Sequence, residues 1–129
     1  MLLGFKAEKQ EDNPMGYVDP KSVLAPRDRI SEVTAVLYDG KEDNVSIVIL
    51  QYDGKPRLAI RWNGNDEEKL GFPSVRQYPV WFLVPDDLVP IIEYAARELN
   101  AGHKPSLPLD TDSLVSALEQ RGYHVTLTR

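Results

Sequence analysis

The sequence contains no cysteine. This absence excludes disulfide bonds, thiolate nucleophiles, iron–sulfur clusters and cysteine-ligated zinc. Long hydrophobic runs are also missing, because the longest apolar stretches, residues 45–50 and 80–84, fall far short of the roughly 20 residues of a membrane helix. The first nine residues lack the apolar core of a secretion signal, so we expect a cytoplasmic protein.

Positive charge is scarce, since the formal net charge is −5. A strongly basic balance is the usual mark of a nucleic-acid-binding protein. Its absence lowers that expectation but leaves room for a local basic surface. The length of 129 residues fits one domain, and an apolar share of 42% suffices for a packed core, so the composition is not that of a disordered chain.

Enzyme motifs are absent as well. The sequence has no glycine-rich phosphate loop, zincin motif or serine elbow. His103 and His124 share no motif and are interpreted as surface histidines. The pair Asp86-Asp87 suits helix capping better than acid–base catalysis. We therefore predict a protein without catalytic activity, metal site or cofactor.

Proline and glycine occur repeatedly in the first 30 residues and disfavour a long helix there. Pro14, Pro20 and Pro26 each remove a backbone donor and keep the preceding residue extended. We therefore expect residues 1–30 to form an N-terminal arm that is extended on the domain or partly disordered. Residues 31–129 are predicted to form a single α+β domain.

The β-branched residues of the domain predict an antiparallel meander of about four strands. Asp39-Gly40 and Asp53-Gly54 are typical turn pairs, because glycine tolerates positive φ. The predicted strands lie between and around these turns, at residues 32–38, 45–52, 57–62 and 78–84.

The C-terminal half carries the helical pattern. An apolar stripe recurring every three or four residues predicts a helix at residues 87–100, with Asp87 as its N-cap. A second, short helix is predicted after Asp110 or Thr111, either of which can cap it. Alternating apolar residues at 123–127 then predict a final strand.

The third strand carries the most informative pattern. Arg57 and Arg61 fall on one side of it, about 13 Å apart along an extended chain, with Ala59 between them. Basic side chains beside aromatic rings on an open sheet are what single-stranded nucleic acid requires, since cations follow phosphates and bases stack on rings. The predicted nucleic-acid-binding residues are Tyr52, Lys55, Arg57, Arg61, Trp62 and Arg76.

A second interpretation of the same residues stays open. Arg57 and Arg61 can equally form an ordinary solvated sheet face. Trp62 shares its side of the strand with Leu58 and Ile60, and large aromatic side chains usually anchor cores.

Residues 45–62, with Tyr52-Asp53-Gly54-Lys55 and Ile60-Arg61-Trp62, resemble the central strands of the positive-cofactor-four family of single-stranded-DNA-binding transcriptional coactivators. The resemblance extends over about residues 45–99. It implies a homodimer formed through helix and sheet that holds single strands across the β-surface. It also implies phosphate contacts by Lys55, Arg57 and Arg61, and a stacking or supporting role for the ring of Trp62.

Three hypotheses about function follow. The first is a dimeric module that binds single-stranded nucleic acid through a basic and aromatic sheet face. The second is a protein-interaction or assembly module without catalytic activity. The third, a small enzyme or ligand-binding protein, would require a deep pocket with convergent polar groups. The first depends on Arg57 and Arg61 facing solvent.

Overall fold

The computed structural model describes residues 16–103 and 110–128. Its centre is an antiparallel sheet of four strands, which with two helices confirms the predicted α+β class. The strand order is β1-β2-β3-β6, and β4 and β5 form a separate two-stranded hairpin. The strands are β1 (Ile30–Asp39), β2 (Val45–Tyr52), β3 (Lys55–Trp62), β4 (Ser74–Val75), β5 (Tyr78–Pro79) and β6 (Phe82–Leu83).

Strands β2 and β3 form the regular part of the sheet. Their register is unbroken from the pair Val45 and Trp62 to the pair Tyr52 and Lys55. Asp53 and Gly54 make the two-residue turn between them with φ of 52° and 78°, as the sequence predicts. Strand β1 is less regular, because three register shifts interrupt its pairing with β2. Such bulges twist an edge strand and discourage pairing with another chain.

The predicted fourth strand at 78–84 is wrong as one continuous element. Its first residues belong to β5 and pair with β4, whereas its later residues belong to β6 and pair with β3. Trp81 lies at the break, where its indole Nε1 donates to the carbonyl of Val23 at 2.8 Å. The chain therefore changes its pairing partner, from β4 to β3, at the buried Trp81.

Helix α1 (Val89–Asn100) follows a 3-10 turn at Asp86–Leu88, so the predicted helix is present with a tighter first turn. Asp87 does not cap it. Helix α2 (Thr111–Gln120) is the predicted short helix, and the Asp110 carboxylate caps it by accepting from the backbone of Ser113 at 2.8 Å.

The predicted C-terminal strand is wrong. Residues 123–128 have no regular secondary structure and pair with no strand in the part of the chain that the structure describes. Alternation alone does not make a strand, because an extended segment needs a neighbour for its backbone hydrogen bonds. Tyr123 and Leu127 remain largely exposed.

The sheet is buried on both faces. One core cluster lies on the face of β3 that carries Ala59, and it includes Val23, Val48 and Trp81. The other lies on the opposite face beneath helix α1, where Leu58 packs near the helical Ala96. We call these the arginine face, after Arg61, and the helix face, which carries Leu58 and Ile60.

Residues 16–30 contribute to the core on the arginine face. Tyr17, Val23 and Ile30 are buried, and a 3-10 turn at Pro20–Ser22 precedes the buried valine. The first 15 residues of the predicted arm lie outside the described residues.

Candidate functional site

Arg61, a predicted phosphate contact, lies beneath a covering segment. Its side chain is only 2% exposed. The guanidinium donates to the carbonyls of Val80 at 3.1 Å and Pro73 at 3.3 Å, and also to that of Leu70. These three carbonyls belong to the loop that runs from β3 to β6. The expectation that Arg61 faces solvent is therefore wrong, because the loop closes over it.

The burial of Arg61 has an electrostatic consequence. Its partners are backbone carbonyls rather than a carboxylate, and no residue in the described part of the chain forms a hydrogen bond with its Nη1 atom. Desolvation lowers the pKa of Arg61 to about 10. The group is still a cation at neutral pH, so the fold holds a buried positive charge whose hydrogen-bond partners, among the described residues, are all backbone carbonyls.

The other predicted site residues are not brought together into one surface. Arg57 is half-buried, and its Nη2 atom makes one long hydrogen bond, 3.4 Å, to the carbonyl of Val84. Lys55 is exposed beside the β2–β3 turn. Arg76 is exposed at the tip of the separate β4–β5 hairpin.

Neither predicted stacking ring stands free on an open sheet. Trp62 is half-buried, and its backbone forms an antiparallel bridge with Phe72. Tyr52 is half-buried and packs against the core on the arginine face. The continuous basic and aromatic sheet face that the sequence predicts is therefore absent from the described residues.

The loop that covers Arg61 presents apolar side chains to solvent instead. Between residues 72 and 82, four large apolar residues are each more than half exposed, at 69%, 56%, 66% and 52%: Phe72, Val75, Tyr78 and Phe82. Exposed apolar residues scattered singly are ordinary, but a concentration of them marks interaction surfaces. Two of the four, Val75 and Tyr78, are direct partners in the β4–β5 hairpin.

A groove of about 360 Å³ runs beside this hairpin, and its walls are almost wholly apolar. Two covering segments build it, because a parallel bridge joins Ala25 of the N-terminal segment to Val80 of the loop. The groove, which we call the hairpin groove, is lined by Ala25, Pro26, Val75, Arg76, Tyr78 and Val80.

Charge distinguishes the hairpin groove from the rest of an acidic chain. Arg76 is the one residue of its lining that is charged at neutral pH. Within residues 16–103 and 110–128, Arg76 takes part in no ion pair. Arg27, which follows Pro26 directly, is exposed and likewise forms no ion pair with a described residue.

A second hollow, of about 240 Å³, lies where helix α1 meets the sheet. Its floor is apolar, with Leu58 and Val89, and Arg57, Asp86 and Glu93 lie around it. Within the described ranges, no three histidine, aspartate or glutamate side chains are grouped to hold a metal ion.

Sequence reasoning missed most of the hairpin groove. It began the fourth strand at residue 78 and predicted no hairpin before it, and of its six site residues only Arg76 lines the groove. One signal was available: Arg76 and Gln77 lie between β-favouring residues at the spacing of a two-residue hairpin. Ala25 and Pro26 gave no signal, because their place in the groove depends on a contact with Val80.

Searches against family models, curated proteins and solved structures give no match for this chain. The resemblance to the positive-cofactor-four family therefore remains a prediction from the sequence. Within residues 16–103 and 110–128, each helix is too short or too polar to span a lipid bilayer.

Proposed function

We propose that this chain is a protein-interaction module whose hairpin groove docks an extended apolar segment of another protein. The observation that carries the proposal is the exposure of Val75 and Tyr78, at 56% and 66%, along an apolar groove. Water contact with these side chains is unfavourable, and covering them would contribute about 1.5–3 kcal/mol for each large side chain fully buried.

The composition of the groove fits a peptide chain. Tyrosine is enriched among the residues that dominate binding energy, because it combines a large apolar ring with a polar tip. The single charge in the lining, on Arg76, disfavours a cationic occupant beside it. The proposed occupant is therefore an apolar segment without positive charge at that position.

Two observations support this proposal over binding of single-stranded nucleic acid through the sheet. Such binding needs a cationic track with exposed rings along it. Arg61 is buried and held by carbonyls, and the two predicted stacking rings, Tyr52 and Trp62, are half-buried. The exposed cations Lys55 and Arg76 lie on different hairpins.

The test is a selection of random peptides displayed on phage against the immobilised full chain. The groove variant carries Val75→Ser and Tyr78→Ser, which remove apolar surface without introducing charge. A matched control variant carries Ile91→Ser and Tyr94→Ser, since these residues expose similar fractions, 62% and 54%, on helix α1.

We expect enrichment of apolar peptides that bind the wild-type chain and the helix control and lose at least tenfold in affinity for the groove variant. Failure to enrich any peptide, or equal binding to the groove variant, would overturn the proposal. Circular dichroism of all three proteins verifies that the substitutions leave the fold intact.

Two further measurements separate this proposal from the remaining predictions. Fluorescence anisotropy with a labelled single-stranded oligonucleotide at low salt tests nucleic-acid binding, and salt-sensitive binding that survives in the groove variant would favour that function instead. Sedimentation of the wild-type chain and the groove variant tests the predicted homodimer. A dimer lost only in the groove variant would identify a second copy as the occupant.

A further inference from the structure

Two hairpins of this protein use the same type of turn with different residues. Asp53 and Gly54 connect β2 to β3 with φ of 52° and 78°, and Arg76 and Gln77 connect β4 to β5 with φ of 52° and 70°. Positive φ at both central residues is the geometry of a type I′ turn, which strongly favours Asn-Gly or Asp-Gly. Only the first turn has the favoured residues.

Arg76 and Gln77 are therefore in a conformation that their side chains disfavour. A residue with a Cβ atom crowds the following carbonyl at positive φ, and only glycine, asparagine and aspartate adopt that region readily. Backbone strain of this kind collects at functional sites, where the side chain or its placement is needed. The strain at Arg76 coincides with its position in the groove wall.

The two turns also differ in whether an arginine at the turn is paired with a carboxylate. At the first turn, Arg29 donates to the carboxylate of Asp53 at 2.8 Å. At the second, Arg76 forms no ion pair with any described residue, although acidic residues outnumber basic ones by 20 to 15 in the chain. A guanidinium beside an apolar groove offers a fork of donors suited to a carboxylate.

We infer that Arg76 is a specificity-determining residue that receives a carboxylate from the docked segment. The partner is then an apolar peptide with an aspartate, a glutamate or a free C-terminus next to its apolar anchor. This inference rests on the proposed function of the hairpin groove. It adds a charge requirement that apolar burial alone does not impose.

The test repeats the peptide selection on the wild-type chain and on the variant Arg76→Asn (R76N). Asparagine tolerates positive φ better than arginine does, so the variant removes the guanidinium without straining the turn. We expect aspartate and glutamate to be enriched beside the apolar anchor with the wild-type chain only. Apolar peptides themselves should be enriched with both proteins.

A single selected peptide then gives the magnitude. Replacing its acidic residue by the matching amide should weaken binding to the wild-type chain about fivefold, since the pair is exposed. The same replacement should leave binding to R76N unchanged. Added salt should reduce the fivefold difference, because it screens exposed charges.

The outcomes separate the two proposals. Apolar peptides enriched without acidic residues, or an acidic preference that persists in R76N, would overturn the role of Arg76 and leave the groove as a docking site. Absence of any peptide that depends on Val75 and Tyr78 would instead overturn the proposed function itself.

Discussion

The two faces of the sheet are both covered, but by structures of different kinds. Helix α1 covers the helix face, with Ala96 buried against strand residues such as Leu58. Two irregular segments, residues 17–24 and 70–81, cover the arginine face, and they bring Val23 and Trp81 into the core. Each cover excludes water, since Val23 and Val84, one in each core, are both 1% exposed.

The difference between the covers explains which face the sequence reveals. A helix can be predicted from its own segment of sequence, because its apolar residues recur every 3.6 positions. An irregular cover is held by contacts between distant residues, such as the bond from Trp81 to Val23, 58 positions apart. Nothing in the sequence near Arg61 indicates that carbonyls from residues 70–80 will surround it.

The largest expected effect comes from the link between the two irregular segments. Replacing Trp81 by alanine removes a large side chain that is 8% exposed and leaves the carbonyl of Val23 without its donor. We expect a loss of about 4 kcal/mol in the free energy of unfolding. Urea denaturation followed by far-ultraviolet circular dichroism measures it.

The variant Trp81→Phe is the control, since it keeps most of the apolar volume and removes only the Nε1 donor. It should lose about 1 kcal/mol. A loss of less than about 1 kcal/mol in Trp81→Ala would mean that the irregular segments contribute little to stability. The two faces would then not be equivalent cores.

A matched pair of valines compares the two covers directly. Val23→Ala trims the irregular cover, and Val84→Ala trims the core beneath helix α1, from side chains of equal burial. We expect each substitution to lower the free energy of unfolding by about 2 kcal/mol, because each removes two buried methyl groups and leaves a small cavity. Thermal and urea unfolding of the two variants check this.

An unequal result would be informative. If Val23→Ala changed stability by a few tenths of a kcal/mol while Val84→Ala lost about 2 kcal/mol, the N-terminal segment would open at little cost. The part of the arginine face beneath the N-terminal segment would then be accessible in a minor population, while residues 70–80 would still cover Arg61.

The sequence predicts the strands and helices of this fold better than it predicts the irregular segments that cover the arginine face. β-Branched residues locate β1 to β3, the Asp53-Gly54 pair locates the turn between β2 and β3, and an apolar stripe locates α1, because these signals are local. The predicted turn at Asp39-Gly40 is wrong, because Asp39 ends β1 and the chain turns at residues 41–44.

The predicted alternation of Ala59 and Arg61 with Leu58 and Ile60 is also correct, whereas the Arg57 side chain lines the hollow beside helix α1. The sequence does not reveal that both sides are buried, since an arginine bound by carbonyls has the same pattern as one in solvent.

The hairpin groove shows the same limit. Tyr78 and Val75 are apolar residues in a strand-like segment, and their exposure follows only from the hairpin's separation from the main sheet. Arg76 is among the predicted site residues, but the prediction assigned it to a nucleic-acid surface. Its neighbours in the groove come from residues 25 and 26, which lie about 50 positions away in the chain.

The buried charge on the arginine face predicts an unusual pH dependence. Burial disfavours the cation and lowers the pKa of Arg61 to about 10 in the folded state, well below the pKa of the same group in the unfolded chain. The unfolded state then binds more protons between these values, so the free energy of unfolding rises as pH increases through 10. The helix face has no buried cation among the described residues and should show no such term.

The measurement compares the wild-type chain with Arg61→Met (R61M), so that lysine and tyrosine titrations elsewhere cancel. We expect wild-type stability to gain about 1 kcal/mol relative to R61M between about pH 8.5 and about pH 10.5. A constant difference would mean that the guanidinium is better compensated than its carbonyl partners indicate.

The smallest expected change in the free energy of unfolding is at the β4–β5 turn, at the tip of the hairpin. Gln77 has φ of 70° in the β4–β5 turn. Glycine adopts this conformation without strain, so Gln77→Gly should stabilise the protein by about 0.5–1 kcal/mol, although glycine also loses more chain entropy on folding. Urea denaturation at neutral pH measures the gain.

Gly54 provides the matched control, because it has φ of 78° in the other turn and already carries the favoured residue. Gly54→Gln should therefore destabilise the protein by a similar amount. Because Gln77→Gly keeps Arg76 and relieves the turn, any loss of peptide binding in that variant would mean that the Gln77 side chain itself contributes to the groove. A neutral or destabilising effect of Gln77→Gly would contradict the strain at this turn, and with it one of the two observations that single out Arg76.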